Sequence, residues 1–130
     1  RQMCIRDSYT AMYKPYHLIG LELGISVASV GLRREPTGAP AGWHGDVVAT
    51  AKRDLQAGQL LDGEGGYTVY GRLMPARDSV EEGYLPLGLS HQVKLKHAVR
   101  QSQAIRWSDV EYDDRSQAVQ FRREMEQTFA

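Results

Sequence analysis

The sequence has a single cysteine, Cys4, among 130 residues. An internal disulfide and a cysteine-built zinc cage are therefore both excluded. It has no excess charge of either sign: sixteen basic residues face sixteen acidic ones. No global field draws it to nucleic acid or to an anionic membrane. Its longest apolar run, Leu18 to Leu32, is short for a bilayer and holds Glu22. No apolar segment precedes a small-residue cleavage site near the N-terminus, so nothing reads as a secretory signal. Metal-ligand spacing is missing too. His17, His44, His91 and His97 form neither HxH nor HExxH, and there is no GxSxG elbow. These absences favour a cytoplasmic protein with no bound metal, no nucleic-acid partner and no membrane.

What is present changes in texture along the chain. Residues 1–8, Arg1 to Ser8, join no structural pattern and resemble a translated adapter tail, so they are excluded from fold reasoning. Tyr16 to Arg34 reads as a helix with Pro15 in its first turn. Leu18, Ile19, Leu23, Ile25, Val27, Val30 and Leu32 leave it little polar surface. Gly20, Gly24 and Ala28 clear one face, and the two glycines cost about 1 kcal/mol each relative to alanine. Such a helix needs a partner to be stable. Residues 35–45 follow as a proline- and glycine-rich linker and a domain boundary.

From Asp46 onward short strands alternate with turns. Val47–Ala51, Leu60–Leu61, Tyr67–Leu73 and Val93–Lys96 read as β, and no helical period is visible between Asp46 and Asp109. Asp113 or Asp114 caps a closing amphipathic helix, 114–130, with Ala118, Phe121, Met125 and Phe129 as its apolar stripe.

The most informative feature is a repeat. AKRDLQAGQLL, from Ala51, overlays LKHAVRQSQAI, from Leu95, at a constant shift of 44 residues and without gaps. Lys52 matches Lys96 and Gln59 matches Gln103, while apolar residues coincide at 55/99, 60/104 and 61/105. Each copy reads as strand, basic turn, apolar anchor, tight turn and apolar pair. One copy alone buries too little to be stable, so the two are expected to clip around each other.

AKRDLQAGQLL resembles the signature of the SAF domain, and VKLKHAVRQSQAIRWSDV resembles its closing half. Ser102 stands where that pattern prefers glycine, which predicts a looser second turn. With YKPYHLIGLELGISVAS before the linker and GEGGYTVYGRLMP after the first motif, the chain resembles the end of homoserine-dehydrogenase-like oxidoreductases, the deoxyxylulose-phosphate-reductoisomerase-like enzymes included. The resemblance implies a mainly β fold with flanking helices: a SAF-type β-clip over 46–113, preceded by one apolar helix, within 9–34, from a catalytic domain. It implies NAD(P) as the cofactor of the parent enzyme, bound by none of these residues, and a sugar-acid or sugar-phosphate-like substrate. Its partners would be upstream Rossmann and catalytic domains, with a homo-oligomer left open. The alternative is a free-standing SAF module that binds carbohydrate or assists assembly, as in flagellar P-ring proteins; an ice-binding face is a third reading.

Candidate site residues follow. Lys14, Tyr16 and His17 gather at the start of the apolar helix, where free N–H groups favour an anionic or polyol substrate; solvation and capping are the plainer roles. Glu22 needs a partner in so apolar a helix. Placed roughly 140° around that helix from His17, it is not expected to pair with it. Arg53 is a candidate because the related domain of sialic acid synthases reaches substrate across a subunit interface, although a solvated turn residue is the simpler reading. Gly63–Gly66 fails as a phosphate loop, since Thr68 takes the third glycine position and no apolar helix follows.

Overall fold

The computed structural model describes residues 13–38 and 41–129. The adapter-like residues 1–8, with Cys4, lie outside them. The chain divides into two compact units, Arg1–Pro40 and Ala41–Ala130.

In the first unit, helix α1 runs Ile19–Ala28 and continues as a wider π-helical turn, Ser29–Arg33, which ends on left-handed Arg34. It starts later than the sequence predicts. Pro15, Tyr16 and His17 lie ahead of it, and Leu18 is its N-cap, without a side-chain cap bond. No residue of α1 is buried; Leu21, Leu23, Ile25 and Val27 are each at least 60% exposed. A helix apolar on all sides and exposed on all sides is one that packing elsewhere would have to stabilise.

The second unit is a small α/β domain. Strand β1 (Gly45–Ala51) pairs antiparallel with β3 (Val69–Pro75), and β2 (Leu60–Asp62), β4 (His91–Leu95) and β5 (Val110–Glu111) form a three-stranded antiparallel sheet. Helix α2 (Ala76–Glu82) follows β3, and helix α3 (Gln117–Phe129) closes the chain. The core joins both sheets through Leu55, Leu61, Val69, Leu85, Leu95, Ile105 and Val110, with Val119 of α3 against it.

The two copies of the repeat bond to each other about a pseudo-two-fold axis. Leu55 and Val99, equivalent positions, exchange both backbone hydrogen bonds, at 2.8 and 3.0 Å. Gly58 N–H donates to the Leu95 carbonyl at 2.7 Å; its counterpart Ser102 N–H donates to that of Ala51 at 2.9 Å. Leu95 N–H to Gln59 O and Ala51 N–H to Gln103 O, each 2.9 Å, repeat the exchange. The glutamines match for a reason: each Oε1 accepts the N–H three residues earlier, Gln56 in one turn and Arg100 in the other.

The expected looseness of the second turn is not found. Ser102 takes φ +66° where Gly58 takes +83°, and the turns close at 3.1 and 3.2 Å. The repeat imposes the left-handed backbone, and serine bears strain that glycine does not. Gly58→Ala is therefore expected to destabilise by about 1 kcal/mol, whereas Ser102→Gly should be neutral or mildly stabilising. Urea titration of the two variants checks the opposite signs.

Two further expectations need correction. Helix α2 lies where no helical period is visible, because only Ala76 and Ser79 are buried. Its signs are Pro75 at the entry, the Arg77–Glu81 pair and left-handed Gly83 at the exit. In α3 the buried residues are Val119 and Arg122; Ala118 is exposed, Phe121 and Phe129 are 60% and 51% exposed, and Met125 is half-buried. The apolar stripe misleads because an arginine occupies the inner face.

Candidate functional site

Of the sequence-predicted site residues, the structure brings three together. Glu22 Oε1 meets Lys14 Nζ, and Glu22 Oε2 lies 2.5 Å from His17 Nδ1. The 140° separation does not apply, because His17 precedes the helix and its segment folds back over the first turn. Tyr16 is 61% exposed and makes no hydrogen bond to this cluster among the described residues. With Lys14 and His17 both turned onto the Glu22 carboxylate, the cluster is occupied from within and leaves an anion no free cation there. Arg53 is exposed in the turn after β1 and makes no hydrogen bond or ion pair among the described residues; it lies in the other unit.

The loop Gly63–Gly66 is held from within. Asp62 accepts the N–H groups of Tyr67 and Thr68, at 2.5 and 3.0 Å, and the Thr68 hydroxyl. Lys52 Nζ donates to the Gly66 carbonyl at 2.5 Å. A Cβ on Gly66 would sit 2.1 Å from the Asp62 carboxyl, so a side chain there would displace Asp62 from the bonds that close the loop. Slight burial raises the Asp62 pKa, but the Thr68 hydroxyl and the two N–H donors outweigh it and bring it down to about 2 from 3.8. The folded value lies below the unfolded one, so the ionised carboxylate stabilises above pH ~4 and the contribution fades towards pH ~2. Thermal melts of Asp62→Asn against the unmodified chain should differ at neutral pH and converge in that window.

Sequence reading missed the buried ionic centre of the second unit. Arg122 of α3 forms a two-pronged bond with Asp46 of β1, at 3.0 and 2.6 Å, and Ser79 of α2 donates to the same carboxylate at 2.6 Å. Arg122 Nε also pairs with Glu126 at 2.7 Å, and its guanidinium lies 4.4 Å from the Trp43 ring centre. Burial raises the Asp46 pKa, yet the bonds from Arg122 and Ser79 hold it below its ordinary value. The arrangement is saturated and closed to solvent, which makes it a structural clasp rather than a site for chemistry.

Of the open grooves on this unit, one borders the second copy of the repeat and one borders β4. One, about 420 Å³, lies beside Arg72, Tyr84, Ser102 and Arg106. Arg106 is already committed: it pairs with Glu82 at 2.6 Å, donates to the Glu82 carbonyl at 3.1 Å and lies over Tyr84. The other, about 580 Å³, runs between the β4 bulge and the start of α3. Its lining mixes Leu89, Val93 and Val119 with His91, Gln92 and Tyr112. Neither groove includes a residue singled out from the sequence for substrate contact. Among the described residues no group of three or more His, Cys, Asp or Glu could hold a metal, and no helix is long and apolar enough to cross a membrane. Neither a scan of protein-family models nor a search of curated proteins finds a match to this chain.

Proposed function

We propose that this chain is the C-terminal end of a cytoplasmic NAD(P)-dependent oxidoreductase of the homoserine-dehydrogenase-like type, acting on a sugar-acid or sugar-phosphate-like substrate. In this reading residues 46–113 form a SAF-type β-clip that covers the active site or joins subunits. The observation that carries it is the mutual bonding of two sequence-related halves, Leu55 onto Val99 and Gly58 and Ser102 onto each other's strands. That is the arrangement a β-clip requires. Helix α1 adds support, since its exposed apolar sides suit a helix that a catalytic domain would enclose. Lys14, His17 and Glu22 would then sit at the edge of that domain, and Arg53 on the clip. The nucleotide rests on family resemblance alone, and no residue of this chain is assigned to it.

The test is NADPH titration, followed by nucleotide fluorescence, of this chain and of the complete polypeptide encoded by its gene. Binding by the complete polypeptide alone supports the reading. Tight binding by the 130-residue chain, or none by the complete polypeptide, overturns it.

A further inference from the structure

Strand β3 pairs with β1 on one side, and the hydrogen bonds of β1 fix which backbone groups of β3 are left over. Ala49 N–H donates to the Leu85 carbonyl at 2.8 Å, and the Ala49 carbonyl accepts Ile105 N–H at 2.9 Å. Ala51 turns the same way, its N–H to the Gln103 carbonyl and its carbonyl to Ser102 N–H, each at 2.9 Å. Both residues therefore bond away from β3, and the ladder between the strands runs through Val48 with Arg72 and Thr50 with Tyr70. The bond from Lys52 N–H to the Thr68 carbonyl, 2.9 Å, continues the same alternation. It follows that Val69, Gly71 and Leu73 turn their N–H and carbonyl groups to the outer edge of β3.

Part of that edge is open. Val69 is fully buried, and Pro75, the next residue in step, has no N–H to offer. Gly71 is exposed, Leu73 is 73% exposed, and neither makes a backbone hydrogen bond outside the β1–β3 ladder among the described residues. The stretch Gly71–Leu73 thus presents unused donors and acceptors at strand spacing, with Arg72 between them. Arg72 is exposed and has no ion-pair partner among the described residues. On the opposite face, Leu73 stands across from Val47, itself 42% exposed, and Leu87 reaches over Gly71. The open edge is therefore apolar on one face and cationic on the other.

We infer that this edge takes an extended peptide segment of another protein as an added antiparallel strand, with a carboxylate opposite Arg72 and an apolar residue on each side of it. Residues directly opposite each other share one face of a sheet. The two that bond to Gly71 and Leu73 would lie towards Leu87 and Val47, and the acidic residue between them would meet Arg72. A second copy of this chain is the poorer occupant on charge. Two β3 edges satisfy Gly71 and Leu73 fully only where Arg72 of each copy faces the other in a narrow, non-bonded pair, and like charges repel there. The neighbouring registers bring in buried Val69 or Pro75 without its donor. The inference does not depend on the nucleotide-dependent reading above, since every residue it uses lies within the second unit.

The experiment is an amide NMR titration of the full chain with capped pentapeptides: Thr-Val-Glu-Val-Thr, Thr-Val-Lys-Val-Thr, and the glutamate peptide with both valine nitrogens methylated. Millimolar binding of the glutamate peptide is expected, with the largest amide shifts at Gly71 and Leu73. The lysine peptide should bind about fivefold more weakly at low ionic strength. Methylation should abolish binding, because an added strand needs those N–H groups. Arg72→Glu should reverse the preference between the two charged peptides, a gain of binding that a misfolded chain does not give. No shifts at Gly71 and Leu73 with the glutamate peptide, equal binding of the two charged peptides, binding that survives methylation, or the same shifts on concentrating the chain alone would each overturn the proposal.

Discussion

Arg122→Ala is expected to destabilise the second unit by about 3–5 kcal/mol, as loss of one partner of a buried ion pair does. The reason is what it leaves behind. Asp46 would stay buried with two of its charge-assisted bonds gone and only Ser79 and the Val47 N–H as donors. Arg122 also holds Glu126, itself little exposed, and covers Trp43. Arg122→Lys should recover only part of the loss, because an ammonium cannot reproduce two parallel bonds to one carboxylate. Guanidinium unfolding followed by tryptophan fluorescence reads both variants. Double replacement of Asp46 and Arg122 by apolar residues of similar size should cost far less than either alone, and that non-additivity distinguishes an ion pair from lost packing. The centre also has a pH signature. The folded Asp46 carboxyl titrates below the unfolded value, so its contribution is complete above pH ~4 and is lost as pH falls through the folded pKa. In Asp46→Asn the acid dependence should be shallower.

The second large effect is expected at the crossing of the two halves. Leu55 is 1% exposed and sits in the core directly opposite Val99. Leu55→Ala should destabilise by about 2–5 kcal/mol, through lost transfer free energy and the cavity left where two backbones already meet and cannot close in. Val99→Ala should cost less, since fewer methyl groups are removed. Because the two side chains share one space, the double variant should depart from additivity, whereas Leu55→Ala combined with Arg122→Lys should be close to additive. Equilibrium urea curves for the set decide it, with an unchanged slope showing that the folded state is still the same one.

The pairing of the halves was legible because the constraints that create it act on identifiable side chains. Leu55 and Val99 must be apolar to fill the core, and Gln59 and Gln103 must reach back to cap their own turns. Gly58 and Ser102 differ because the backbone demand is the same but the tolerance for strain is not. The α3 face was misread for an electrostatic reason: a hydrophobic stripe locates a helix face only when the core it meets is apolar, and here Asp46 waits there for Arg122. Helix α2 is too short to show a period. The separation assigned to His17 and Glu22 assumed helix where the chain has not yet begun one. The larger groove is assembled from residues near 90 and near 115, and nothing in the identity of Gln92 announces its left-handed backbone. A single sequence shows which side chains a strand needs, but not where a strand departs from regularity.

The clasp between Asp46 and Arg122 joins residues 76 positions apart, the second of them near the end of the described chain. Its consequence concerns the order of events during synthesis. Until the segment that carries Arg122 has left the ribosome, Asp46 has no cation to accompany it into the interior. Neither sheet can then settle, because β1 carries that carboxylate and Leu55 must also wait for Val99. The second unit is therefore built to fold only once α3 is available, in one step dominated by distant contacts. Chains of that kind fold slowly and stay exposed to aggregation and proteolysis while they wait.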